Sequence, residues 1–310
     1  MEDISNQLAQ QFINGLTLGG VYALVAIGYT MVYGVLSMLN FAHGEIYMIG
    51  GFTGWWVLQI FSVNHVPVMN AALLISLMIL CAMAISALLG VAVERIAYRP
   101  LRNAPRMNLL LSSLGVSIFI QNAVLYFQGA KVKAFHVSQL IPESLRTFQV
   151  GDVVISFMRI FVILVCFFLM LGLTLLIKKT DIGRSIRATA QDMEAAAFMG
   201  IDTNKMIVTV FLIGSALGGA AGILVSLLFT QVDYYVGFQA GLKGFTAAVL
   251  GGIGSIHGAM AGGLVLGVSE ALAVMFFPSA YKDVAAFLIL IAVLIFRPQG
   301  LFGEKVREKV

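Results

Sequence analysis

Long apolar runs follow one another through this chain, at 12–36, 45–61, 68–94, 109–127, 155–177, 207–230, 259–277 and 284–296, with a shorter one at 244–256. A helix needs roughly 20 apolar residues to cross the hydrocarbon of a bilayer, and most of these runs come near that length. Within lipid every backbone amide must be paired inside the protein. The runs lack the strict alternation of barrel strands, so they are helices. Only 11% of the residues are charged, against about 25% in a soluble domain. The 32 glycines suit close helix packing in lipid. The expected fold is all-α: one transmembrane domain over residues 1–310, a polytopic bundle of eight or nine spans.

The run at 244–256 is short for a span and ends in Gly251, Gly252 and Gly254, which predicts a broken or re-entrant helix lining a cavity. Basic residues give the orientation. Four arginines (Arg95, Arg99, Arg102, Arg106) lie in loop 95–108. Five residues (Lys178, Lys179, Arg184, Arg187, Lys205) lie in 178–206, and Arg297, Lys305, Arg307 and Lys309 in the tail. Positive loops stay inside, so these three segments face the cytoplasm and loop 129–153 the far side. The N-terminal segment to Gln11 has no Lys or Arg, so the first apolar run is expected to remain as a span. Gly15-Leu-Thr-Leu-Gly19-Gly20 ahead of Asn40-Phe-Ala-His-Gly-Glu45 is echoed by Gly214-Ser-Ala-Leu-Gly218-Gly219 ahead of the glycines at 251–258. The echo is either chance or an inverted repeat, in which case the pathway lies at the breaks. Cys81 and Cys166 sit inside apolar runs and read as packing residues.

Polar residues inside or beside the runs are the candidate functional groups. Asn40, His43 and Glu45 form a knot between two apolar runs: either a helix cap or the cytoplasmic mouth of a pathway. Glu270 lies well inside 259–277, where an unpaired carboxylate costs about 3 kcal/mol. It either lines a water-filled path or pairs with Lys243 or His43. Tyr22, Tyr29, Tyr33 and Tyr47 read as packing or interfacial side chains, Trp55 and Trp56 as an interfacial anchor, and Gln121 and Asn122 as interhelical hydrogen-bonding groups. In the basic loop, Asp192 suits an N-cap, Glu194 the first turn, and Gly200 a C-terminal stop, which predicts a short helix over 193–199. Ala195, Ala196 and Ala197 give it small side chains that let a second protein approach closely.

Glu194-Ala-Ala followed by Gly200 in such a loop resembles the coupling helix of ABC importer permeases, which docks on the ATPase subunit. Together with Asn40-Phe-Ala-His-Gly-Glu45 and Thr246-Ala-Ala-Val-Leu-Gly-Gly-Ile-Gly-Ser255, the chain resembles the high-affinity branched-chain amino acid permease family over nearly its whole length. His257 stands where that family commonly has proline. The resemblance implies a multi-pass protein of the bacterial cytoplasmic membrane, a permease and not an enzyme, carrying leucine, isoleucine, valine or related neutral amino acids. It implies a second homologous permease subunit, two ATP-binding subunits and an extracytoplasmic amino-acid-binding protein. Asn40, His43, Glu45, Thr246, Gly252, Gly254 and Glu270 are the candidate pathway or gate residues, and no metal or cofactor is expected. The chain has no Gly-x-x-x-x-Gly-Lys-Ser/Thr phosphate loop, so ATP would be held by the partner subunits. The rival is an ion-coupled transporter with Glu270 as proton carrier. An intramembrane enzyme is disfavoured, because neither His-Glu-x-x-His nor Gly-x-Ser-x-Gly occurs.

Overall fold

The computed structural model describes residues 2–63, 71–102, 104–135, 146–150 and 153–303. Lys305, Arg307 and Lys309, the start of the 68–94 run and much of loop 129–153 lie outside the described residues. Eleven helices are described: α1 (Glu2–Leu36), α2 (His43–Val63), α3 (Ala71–Val93), α4 (Arg106–Gln128), α5 (Phe157–Lys179), α6 (Asp181–Gln191), α7 (Met193–Phe198), α8 (Thr203–Phe229), α9 (Val236–Gly251), α10 (Ile256–Phe276) and α11 (Lys282–Phe296). Four short strands, β1 (Lys133–Ala134), β2 (Thr147–Val150), β3 (Val153–Ser156) and β4 (Gln231–Val232), form two small antiparallel ladders, β1 with β4 and β2 with β3. The expected all-α membrane bundle is what is found.

Among the described residues six helices are long and apolar enough to cross a bilayer: α1 from Asn6, α3 with its continuation to Leu101, α4, α5, α8 and α10. The helix α2 carries His43 and Glu45 in its first turn, and α9 and α11 have 16 and 15 residues, or about 24 and 22 Å. The helix predicted at 244–256 therefore needs correcting. It begins at Val236 and stops at Gly251, because Gln239 and Lys243 hid its first two turns from a hydropathy reading.

The central helix is α1, buried along most of Val21–Val32 and packed against α10, α8 and α9. Its contact with α10 is backbone on backbone. Gly15 and Gly19 on α1 meet Gly263 and Gly267 on α10, two glycine pairs each spaced by four. A Cβ at Gly15 would lie 2.6 Å from the Val268 Cα, and one at Gly19 2.9 Å from the Leu264 Cα. In lipid, close van der Waals contact of this kind replaces the hydrophobic effect as the force between helices. The echoed set does similar work on α8. Gly219 and Gly222 take Gly50 and Tyr47 of α2, and Gly214 faces Gly28 of α1. Cys166 is buried beside Gly20, and both cysteines are free.

At its end α3 runs into a π turn, Glu94–Tyr98, and a 3-10 turn, Arg99–Leu101. The buried Glu94 pairs with Arg102, which also donates to Asn204 beside the start of α8. Loop 178–206 and the chain just after α11 lie at the same end of the molecule, the basic end below.

Candidate functional site

At the basic end the chain leaves α5 and folds into α6. Gly183 is pressed against the carbonyl oxygens of Leu176 and Ile177, and Ile186 is buried. Next comes α7, whose ends are both capped. The Asp192 carboxylate accepts from the backbone N–H groups of Glu194 and Ala195, each at 3.0 Å. At the far end Gly200 N–H donates to the Ala197 carbonyl and Ile201 N–H to the Ala196 carbonyl, both at 3.0 Å. That pair is the Schellman arrangement, and it requires the left-handed φ of +85° that Gly200 adopts. The helix ends at Phe198, one residue before the expected limit. Its alanines do not share a face: Ala196 is buried in the chain's own fold, whereas Ala195 and Ala197 are exposed. Past them, Phe198 and Met199 are 91% and 83% exposed. The open surface of this element is therefore Glu194, Ala195, Ala197, Phe198 and Met199, and a bulky residue at Ala196 would disturb the chain itself. Asp202 then caps α8. Its carboxyl lies below the usual carboxylate range because the Lys205 backbone N–H and then the Lys205 side chain bind it.

The knot at Asn40 is a helix cap set deep in the bundle. Asn40 Oδ1 accepts from Ala42 N–H and from the Tyr98 hydroxyl, each at 3.1 Å, and the Asn40 carbonyl accepts from His43 N–H. The same Tyr98 O–H is shared with the Leu39 carbonyl, which lies 3.3 Å from it. His43 packs between Gly28 and Gly218, with its ring 5.0 Å from and edge-on to Tyr29. Gly28 lies about two turns before α1 ends, so segment 37–42 doubles back and α2 starts inside the bundle, not at its surface. A cap there must come from the protein, because water cannot supply it. Beyond the cap, Glu45 is buried and accepts from Ser117 of α4 at 3.2 Å. Sequence reasoning missed Tyr98 and Ser117; each lies some sixty or seventy residues from its partner, and neither carries a local signal.

Glu270 is paired. Lys243 Nζ stands 3.0 and 3.1 Å from its two oxygens, and the Tyr22 hydroxyl donates to it at 2.9 Å. Lys243 also reaches Asp283 of α11 at 2.8 Å. The His43 ring lies instead against Gly28, Gly218 and Tyr29. Breaking a buried ion pair costs about 3–5 kcal/mol, and loss of Glu270 leaves Lys243 with the half-exposed Asp283 alone, which offsets part of that cost. Glu270→Leu is therefore expected to lower the thermal unfolding midpoint of the purified protein clearly, and Glu270→Gln less. Adding Lys243→Met should recover part of the loss; equal stability of Glu270→Leu and the parent would contradict the pairing.

The remaining candidates are dispersed. Thr246 Oγ1 donates to the Leu242 carbonyl of its own helix at 2.9 Å. Gly252 and Gly254 take φ of +108° and +98° in the turn between α9 and α10. Gly252 lies against Gly303, and the N–H groups of Leu301 and Phe302 donate to the Leu250 and Gly251 carbonyls at 2.9 Å. Gly254 and His257 line a cavity of about 560 Å³ at the basic end, with Tyr33, Ser37 and Arg187. The break thus lies at the end of the bundle and is tied down by the tail.

Residues 11–294 match the family described as branched-chain amino acid transport system, permease component. The chain is 46% identical over 309 residues to the high-affinity branched-chain amino acid transport system permease protein BraD of Pseudomonas aeruginosa, covering 97% of each chain. Against the corresponding permease protein LivH of Escherichia coli K12 it is 42% identical over 304 residues, again 97% of each. A probable branched-chain amino acid transport permease protein of Methanocaldococcus jannaschii is 27% identical, over 90% of this chain and 88% of that one. With glycine-sealed apolar helices, a capped helix exposed at the basic end and a family match over nearly the whole length, the chain belongs to the permease components of branched-chain amino acid transport systems.

Proposed function

We propose that this chain forms one half of the membrane path of an ATP-driven importer for leucine, isoleucine, valine or related neutral amino acids. A second homologous permease supplies the other half, two ATP-binding subunits dock at the basic end, and an extracytoplasmic binding protein delivers the cargo. The observation that carries the reading is α7: a short helix fixed at both ends, with Phe198 and Met199 almost fully exposed at its tip. Apolar side chains held out rigidly on a soluble surface suit a partner's cleft. Displacement of α7 by that partner would pass to α6 and α8, which pack against it. It would then reach Gly218, where α8 meets His43. The Lys243 ion pair disfavours the ion-coupled alternative, since it occupies the carboxyl that would carry the proton.

The test is reconstitution of the chain with the second permease, both ATP-binding subunits and the binding protein in proteoliposomes. Leucine should accumulate only with ATP and with the loaded binding protein. In whole cells, cysteines at Ala190 and Met199, both exposed at the basic end, should stay unlabelled by an impermeant thiol reagent once Cys81 and Cys166 are replaced. Uptake without ATP, or ready labelling from outside, would sink the reading.

A further inference from the structure

Resting on the importer reading, we infer that Glu45 and the aromatic cavity around it form a subsite for the ammonium group and apolar side chain of the cargo. Helices α1, α2, α4 and α9 enclose a cavity of about 130 Å³, and Tyr29, Phe41, Phe238, Phe245, Ser117 and Glu45 line it. Glu45 is 1% exposed. One carboxylate oxygen accepts from Ser117; the other, Oε2, has no hydrogen-bond partner among the described residues. A buried carboxylate oxygen left unpaired costs more than a hydrogen bond returns, so the site gains from a donor arriving from outside. Glu270, by contrast, has Lys243 and Tyr22.

The lining selects the donor. Four aromatic rings and the α9 backbone, bared at Gly237 and Gly241, make the rest of the wall. Aromatic faces attract an ammonium group and also accommodate an aliphatic chain. A primary ammonium offers three donors, enough for Oε2 and for contact with the rings. The mostly apolar wall suits a short branched side chain and disfavours a charged one, which would leave its water there without a partner. The mouth lies between α4 and α9, where Leu242 and Phe238 are 39% and 50% exposed. An opening on the flank of the bundle would let cargo move between this chain and the second permease.

The experiment compares Glu45→Gln, Glu45→Asp and Ser117→Phe with the parent in the reconstituted importer, reading leucine uptake and ATP hydrolysis stimulated by the loaded binding protein. Glutamine keeps the Ser117 hydrogen bond and imitates a protonated carboxyl, but it lacks the charge. Uptake by Glu45→Gln should fall by about tenfold or more, the scale of a hydrogen bond to a charged group. Stimulated hydrolysis should continue, and aspartate should restore part of the uptake. Ser117→Phe, which fills the mouth from the rim helix, should uncouple in the same way. Parental uptake in Glu45→Gln or in Ser117→Phe would overturn the subsite and leave the importer reading standing. Parallel loss of uptake and stimulated hydrolysis in both would assign Glu45 a structural role and also overturn it. Failure of the parent complex to take up leucine would remove both.

Discussion

Gly267→Val is expected to be among the most damaging single substitutions in the chain. A Cβ at this position would enter the backbone of Gly19 on the facing helix, and the atoms it would meet cannot rotate away. The two helices would have to separate along their whole seam, because Gly15, Gly19 and Gly263 are seated in the same way. Overpacking a filled site costs about 3 kcal/mol, and this contact is the main one that α1 makes. The measurement is the unfolding midpoint and monodispersity of the detergent-purified protein. Gly172→Val on α5, where no atom lies within 4 Å of the added carbon, serves as the control and should behave like the parent. Equal behaviour of the two variants would show that the seam is not close-packed.

The second large effect is expected on transport and not on stability. Gly200→Val meets no neighbouring atom, so its whole consequence comes through the left-handed φ, about 1–2 kcal/mol for a residue with a Cβ. That suffices to undo the turn that presents Phe198 and Met199. Phe198→Asp leaves the turn intact and changes only the exposed tip. Both variants should reach the membrane at parental levels, because the bundle is untouched, and both should lose ATP-dependent uptake by about tenfold or more. Co-purification of the ATP-binding subunits should fall with it. Full transport by both would reduce α7 to a connector.

Much of this was legible in the sequence because lipid imposes few solutions. Apolar length gave the helices, and the Asp192 and Gly200 positions gave α7 to within one residue. Lys243 could be named as a partner for Glu270 because few charges occur in the runs. Other features depended on distant contacts. The inward turn of Ala196 follows from how α7 lies on α6 and α8, which three consecutive alanines do not encode. The start of α2 inside the bundle depends on Tyr98, brought round by the π turn at Glu94–Tyr98. The unpaired oxygen of Glu45 became visible only when α4 and α9 were placed beside it.

The two shortest membrane-depth helices are joined at two points, midway along α9 and at its last turn. Lys243 of α9 holds Asp283 near the start of α11, and the residues after α11 return their N–H groups to the last carbonyls of α9. A pair of rods pinned at two separate points loses its freedom to slide past one another and moves as a unit. Any movement at the Gly252 turn must therefore carry α11 with it, so the peripheral helix behaves as part of the central frame and not as a separate flap.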